Sequence, residues 1–203
     1  MSINVCNDRS MASITSLPSG VSGSSLVLLS TQTASSSATI SFTSGIDSTY
    51  KEYQFHFIDI HPETNDVILT FQTDTGTNTS YNQTMTTTFF QTRHTEDDTT
   101  QSGALTYTTN RDQGQATGFQ KLNYDLGNGN DESLAGILHL YNPSSTTFMK
   151  HFISRVHNYG QSDESADCFV AGYVNTATAL TRVQFKMSDG DIDAGVIKLY
   201  GIS

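Results

Sequence analysis

The sequence predicts an all-β protein: an antiparallel β-sandwich, jelly-roll-like, with an extended N-terminal arm. Three observations predict it. About a dozen short segments alternate apolar and polar residues with a period of two, the mark of half-buried strands. Clusters of Gly, Asn, Asp and Ser separate them, as turns require. No segment repeats apolar residues at helical spacing. The composition agrees, because Ser and Thr make up about a quarter of the 203 residues and β-branched Thr favours strands. Hydrophobic residues are only 35%, but 9 Tyr and 11 Phe sit inside the alternating segments, so a folded core is expected.

The arm is read over 1–22, which is rich in Ser, Asn and Gly and lacks core periodicity; the sandwich domain is read over 23–203. Strands are then expected over 25–33, 37–43 and 52–61. The third places Tyr53, Phe55 and Phe57 on one face and Ile58 and Ile60 on the other, and Pro62 ends it. Val67, Leu69 and Phe71 alternate next, and 73–80 (TDTGTNTS) is expected to be a hairpin loop. A strand over 84–93 leads to a polar loop over 96–102, then to shorter strands over 104–109 and 119–126. The run 127–132 (GNGNDE) is a turn. Segment 134–142 is strongly apolar and expected to be central. Segment 147–157 sets Phe148, Phe152 and Val156 against Met149, Ile153 and Arg155. Strands over 168–174, 180–187 and 195–202 complete the chain. About twelve strands with no internal repeat suit a sandwich or jelly roll, not a propeller or solenoid.

Charge and cysteine content narrow the function. A formal charge of −10 repels phosphate backbones, so nucleic acid is not an expected partner. No apolar run approaches the roughly 20 residues that span a bilayer, so no membrane partner is expected. No secretory leader is evident, and synthesis in a host cytoplasm is expected. Cys6 and Cys168 stand in different contexts, and free thiols are expected.

No residues stand out as catalytic, and no cofactor is implied. The six histidines form no HExxH or HxH pair; His139 and His151 lie in alternating segments and could meet across a sheet, although hydrogen-bonded or exposed rings are the usual fate. Asp189, Asp191 and Asp193 alternate in a turn and offer oxygen ligands for calcium, but the full ligand series and closing Glu of an EF-hand are missing, so a solvated turn is expected. Glu52, Asp59 and Glu63 are the carboxylates a glycan-cleaving enzyme would draw on, with nothing to distinguish them from surface acids. The residues expected to contact partners are Ile3, Val5, Ile14 and Leu17 in the arm, with Tyr81 and Tyr107 in the domain.

Segment 36–62 (SSATISFTSGIDSTYKEYQFHFIDIHP) resembles a recurrent segment of structural proteins of tailed bacteriophages of the marine and cyanophage type. So do 138–152 (LHLYNPSSTTFMKHF), 183–189 (VQFKMSD) and 195–203 (GVIKLYGIS). The resemblance runs through most of the chain after the arm. It implies a β-sandwich virion protein, often a homotrimer, on the capsid surface or tail. The leading expectation is a capsid decoration (cement) protein that stabilises the head by binding the major capsid protein and neighbouring copies. The alternative is a tail-fibre, tail-tip or adaptor protein, partnered by tail proteins, that binds a host glycan or receptor. A glycan-cleaving enzyme is the remote third.

Overall fold

The computed structural model describes residues 25–99 and 105–203. The arm, with its expected contact residues Ile3, Val5, Ile14 and Leu17, lies outside them, as does Cys6. Twelve strands form within the described residues, and no helix. They are β1 (Leu26–Ser37), β2 (Ile40–Phe42), β3 (Glu52–Pro62), β4 (Leu69–Thr75), β5 (Met85–Thr95) and β6 (Thr106–Tyr107), then β7 (Gln120–Lys121), β8 (Leu134–Tyr141), β9 (Lys150–Gly160), β10 (Glu164–Val174), β11 (Leu180–Met187) and β12 (Ile192–Ile202). An eight-stranded sheet in the order β1-β12-β3-β8-β9-β10-β5-β6 faces a four-stranded sheet in the order β2-β11-β4-β7, and every pairing is antiparallel.

The winding becomes plain when β5, β6, β9 and β10 are set aside. The remaining eight strands cross between the sheets at every step but one, from β4 to β7, and place β1-β12-β3-β8 against β2-β11-β4-β7. This is the rolled-up ribbon of an eight-stranded jelly roll. The other four strands extend the large sheet past β8, with β5 and β6 inserted between β4 and β7, and the β9–β10 hairpin between β8 and β11.

Strand alternation builds the core. On β9 every second residue from Lys150 to Gly160 is buried, including Phe152 and Val156. Phe185 of the small sheet sits at the centre, with ring centroids 5.3 Å from Phe55 and from Phe57, 6.2 Å from Phe42 and 6.3 Å from Phe71. The contacts with Phe42, Phe55 and Phe57 are edge-to-face and add to the area term.

Under β10 and β5 the small sheet is reduced to its two-residue edge strand β7, where the Thr87 hydroxyl of β5 donates to Gln120 at 2.7 Å. There the segment 108–126 closes the sandwich with polar contacts. The Tyr124 ring lies between two guanidiniums, Arg93 at 4.4 Å and Arg111 at 4.6 Å from its centroid. Arg93 pairs with Glu164 at 3.1 Å and Arg111 with Asp125 at 2.6 Å. Cys168, free and buried among them, has its thiol pushed up to about 12 by burial, which leaves it unreactive.

Several expectations need correction. Segment 73–80 is not a hairpin loop: β4 continues to Thr75, and the chain then crosses to the other sheet to begin β5. The cause is Asp74, buried despite its charge, whose carboxylate accepts the Tyr81 N–H at 2.8 Å and the Gln83 amide at 3.1 Å. Ile60 does not share a face with Ile58; it is fully buried, while Ile58 is exposed. Asp59 takes a φ of 49° and the register against β8 shifts between Phe57 and Ile60, a bulge that reverses the parity of the strand. Gly195, on β12, accommodates it, since a Cβ there would stand 2.6 Å from the Asp59 carbonyl oxygen. The strands expected over 104–109 and 119–126 shrink to two residues each, and Phe148 lies outside β9 with its ring exposed.

Candidate functional site

The outer face of the eight-stranded sheet is the broad uncovered surface of the described molecule. Its side chains follow from the register. One row crosses all eight strands: Thr31, Lys198, His56, Ile137, Arg155, Phe169, Phe90 and Tyr107. A second row carries Leu28, Tyr200, Gln54, His139, Ile153, Ala171 and Thr88. At the row spacing of about 4.8 Å per strand the face is roughly 34 Å wide.

Aromatic and guanidinium groups are ordered on it. Phe90 and Phe169 stack with centroids 5.0 Å apart, and Arg155 lies 5.1 Å over the Phe169 ring. The Arg155 guanidinium donates in a fork to Asp167, Nε to Oδ1 at 3.1 Å and Nη2 to Oδ2 at 2.8 Å. The Tyr107 hydroxyl donates to Asp112. Ile153 is 50% exposed and forms a ridge between two shallow depressions. The first, about 640 Å³, is floored by Ala135 and Ile137 and flanked by His139, Arg155, His157 and Asp167. The second, about 510 Å³, opens over Ala171 between His151, Thr88 and Tyr173. Small residues at 135 and 171 make both hollows.

All six histidines lie on strands of this sheet, His56 and His61 on β3, His94 on β5, His139 on β8, and His151 and His157 on β9. His139 Nδ1 stands 2.7 Å from Glu52 Oε1, and Gln54 links Glu52 to His56 through bonds of 3.2 and 2.9 Å. His151 packs beside Tyr173 instead. His139 stands opposite Ile153, not opposite His151, and among the described residues no group of three or more His, Cys, Asp or Glu could hold a metal ion.

That applies also to Asp189, Asp191 and Asp193, the weak calcium candidate in a turn expected to be solvated. Asp193 accepts the Ser36 hydroxyl at 3.0 Å and faces His61, while the backbone N–H of Asp191 donates to Glu63. The three carboxylates do not converge. Glu52 and Asp59 stand seven residues apart on β3, about 23 Å along the strand, outside the 5–10 Å between carboxyl groups that glycoside cleavage uses. Of the two tyrosines expected to contact partners, Tyr107 is 50% exposed at the end of the first row, and Tyr81 is buried at 6%. The Tyr81 expectation is corrected: at φ 45° its N–H is held by Asp74 and its ring turns inward. Phe90, Phe169, Arg155 and Ile153 were not singled out from the sequence. For Phe90, Phe169 and Ile153 the signal was an apolar or aromatic residue on the polar side of an alternating strand; Arg155 carried no such signal.

His56 makes the face pH-sensitive. Burial, with His139 and Lys198 nearby, lowers its pKa from the usual 6.5. The folded state therefore prefers the neutral ring, and the unfolded state binds the extra proton. Stability is fully present above about pH 6.5 and is lost as pH falls through the lower folded value. Replacing His56 with Gln is expected to flatten that loss, read as a smaller difference in Tm between pH 7.5 and pH 5 than in the parent protein.

No protein-family profile matches this chain, and no curated protein sequence matches it.

Proposed function

We propose that this chain is a structural protein of a tailed-phage virion, a capsid decoration protein held to the head by the outer face of its large sheet. The observation that carries the reading is the composition of that face. In a chain of net charge −10, its two main rows balance Lys198 and Arg155 against no carboxylate, and the adjoining Glu52 and Asp167 are each already paired. Ile137, Ile153, Ala171, Phe169 and Phe90 run across it from β8 to β5, among neutral polar side chains and histidines. Depletion of net charge with enrichment in aromatic residues and Arg is what interface cores display. The resemblance of 36–62, 138–152 and 195–203 to phage structural proteins supports the same reading, and the jelly-roll winding is one that capsid and lectin domains share. The partner would be the major capsid protein.

A second reading keeps the virion and moves the protein to the tail tip, where the face would bind host glycan. The hollow beside Ile153 favours it, since a fixed Arg155–Asp167 fork and two histidines edge an apolar floor. Copy number separates the two. Hundreds of copies per purified particle, by quantitative mass spectrometry, are expected for decoration. A few to a few dozen would move the protein to the tail, and absence from the particle would overturn both. Ile153→Asp tests the face itself: an exposed substitution of this kind changes stability by about 0.5 kcal/mol or less, yet binding to undecorated particles is expected to be lost.

A further inference from the structure

Four strands end the two sheets. β6, β2 and β7 are two or three residues long. The fourth, β1, is twelve residues, LVLLSTQTASSS, with no charged residue and no proline. Exposed edges of that length usually carry a lysine, a proline or an inward charge, because a row of unpaired N–H and C=O groups recruits another strand. Among the described residues no strand lies on the side of β1 away from β12.

We propose that β1 is a homotypic pairing edge, along which two copies of this chain join their large sheets by antiparallel β1–β1 hydrogen bonding about a two-fold axis. Charge selects a second copy as the occupant. At −10, two copies repel over most of their surface, and β1 is a stretch of sheet edge where they approach without opposing charges. A basic partner strand would find no carboxylate on this edge to recognise. Strand parity requires the axis to pass through a residue, and cross-strand Thr pairing selects which one. Residues opposite each other must point to the same face. Thr31 and Thr33 face outward with Lys198 and Val196, and Gln32 points to the other face. An axis through Gln32 satisfies this, placing Thr31 opposite Thr33 of the other copy in cross-strand Thr pairs, which are favourable. The irregularity between Leu28 and Ser30 ends the regular ladder, so pairing runs from Ser30 to Ala34, about 17 Å of strand. Five paired residues on each copy are far fewer than the roughly 20–30 residues a side of a stable interface, so the pair dissociates on dilution. The symmetry is two-fold, unlike the trimer expected from the sequence resemblance.

The side chain on the axis gives the test. Gln32 is exposed. Gln32→Lys places two ammonium groups opposite each other, and Gln32→Glu two carboxylates. Sedimentation equilibrium of the full chain, up to roughly 1 mM, is expected to show a monomer–dimer equilibrium that each variant alone abolishes and that an equimolar mixture of the two variants restores. Monomer throughout, a trimer, or a dimer indifferent to both variants would overturn the proposal. If the variants fail to fold, hydrogen exchange of the unaltered chain decides. Protection that rises with concentration is expected at those amides within 30–34 that point away from β12. Protection that is absent overturns it, and so does protection that ignores concentration and vanishes on deleting residues 1–24, which would put the arm on this edge.

Discussion

Phe185→Ala is expected to cost about 3–5 kcal/mol, the range for deleting a fully buried Phe, measured as a fall in urea midpoint at unchanged m-value. Whole domains are stable by about 5–15 kcal/mol, so this loss is a large share of what keeps the chain folded. The reason lies in what the ring joins. Phe185 belongs to the small sheet and touches Phe55 and Phe57 of the large one, with Phe42 and Phe71 beside it. Its removal leaves a void bordered by four rigid rings on two sheets, each anchored by its strand's hydrogen bonds, so the site collapses little and the upper half of the range applies. Phe148→Ala is the matched control. That ring is 69% exposed, and its loss should change stability by about 0.5 kcal/mol or less. Equal effects from the two would mean that the Phe cluster does not hold the sheets together.

The same cluster shows how far the fold was legible. Phe55, Phe57, Phe71 and Phe185 all stand at alternating positions, and alternation alone places them in the core. It fails where parity is broken locally. Asp59 enters the left-handed region and carries Ile60 across to the core, a switch with no compositional sign beyond an Asp that tolerates positive φ. It fails again at 73–80, where polar letters look like a loop but Thr73 and Asp74 are buried, because Asp74 uses its carboxylate to hold the chain crossing between sheets. The candidate face was less legible than the core. Phe90 and Phe169 are far apart in sequence and become neighbours only because β10 pairs with β5, which the winding decides. Tyr107 was identified from its residue type; its place in a row with Phe90 required the register.

Arg93→Met is expected to be the second costly change, and it tests whether the outer face depends on the polar contacts beneath it. Glu164 is 4% exposed on its side chain, and Arg93 lies 3.1 Å away. Removing one partner of a buried ion pair costs about 3–5 kcal/mol, because the other charge stays desolvated. The Arg93 side chain is 28% exposed, so the low end, about 3 kcal/mol, applies. The loss also frees one side of the Tyr124 ring, leaving Arg111 alone against it. Adding Glu164→Gln should recover most of the cost, since a neutral amide is far cheaper to bury; a double variant no more stable than Arg93→Met would place the effect in the lost Tyr124 contact. Location matters as much as size. Glu164 begins β10 and Arg93 is near the end of β5, so both belong to the extension of the large sheet, while Phe185 and its neighbours hold the jelly roll. Local opening free energies differ across a fold. Hydrogen exchange of Arg93→Met should therefore quicken in β5 and β10 and leave β3 and β12 protected. Phe90 and Phe169 ride on the opening strands, so binding through the outer face should weaken with the exchange protection. Uniform loss of protection across both sheets would show instead that extension and jelly roll unfold as one unit.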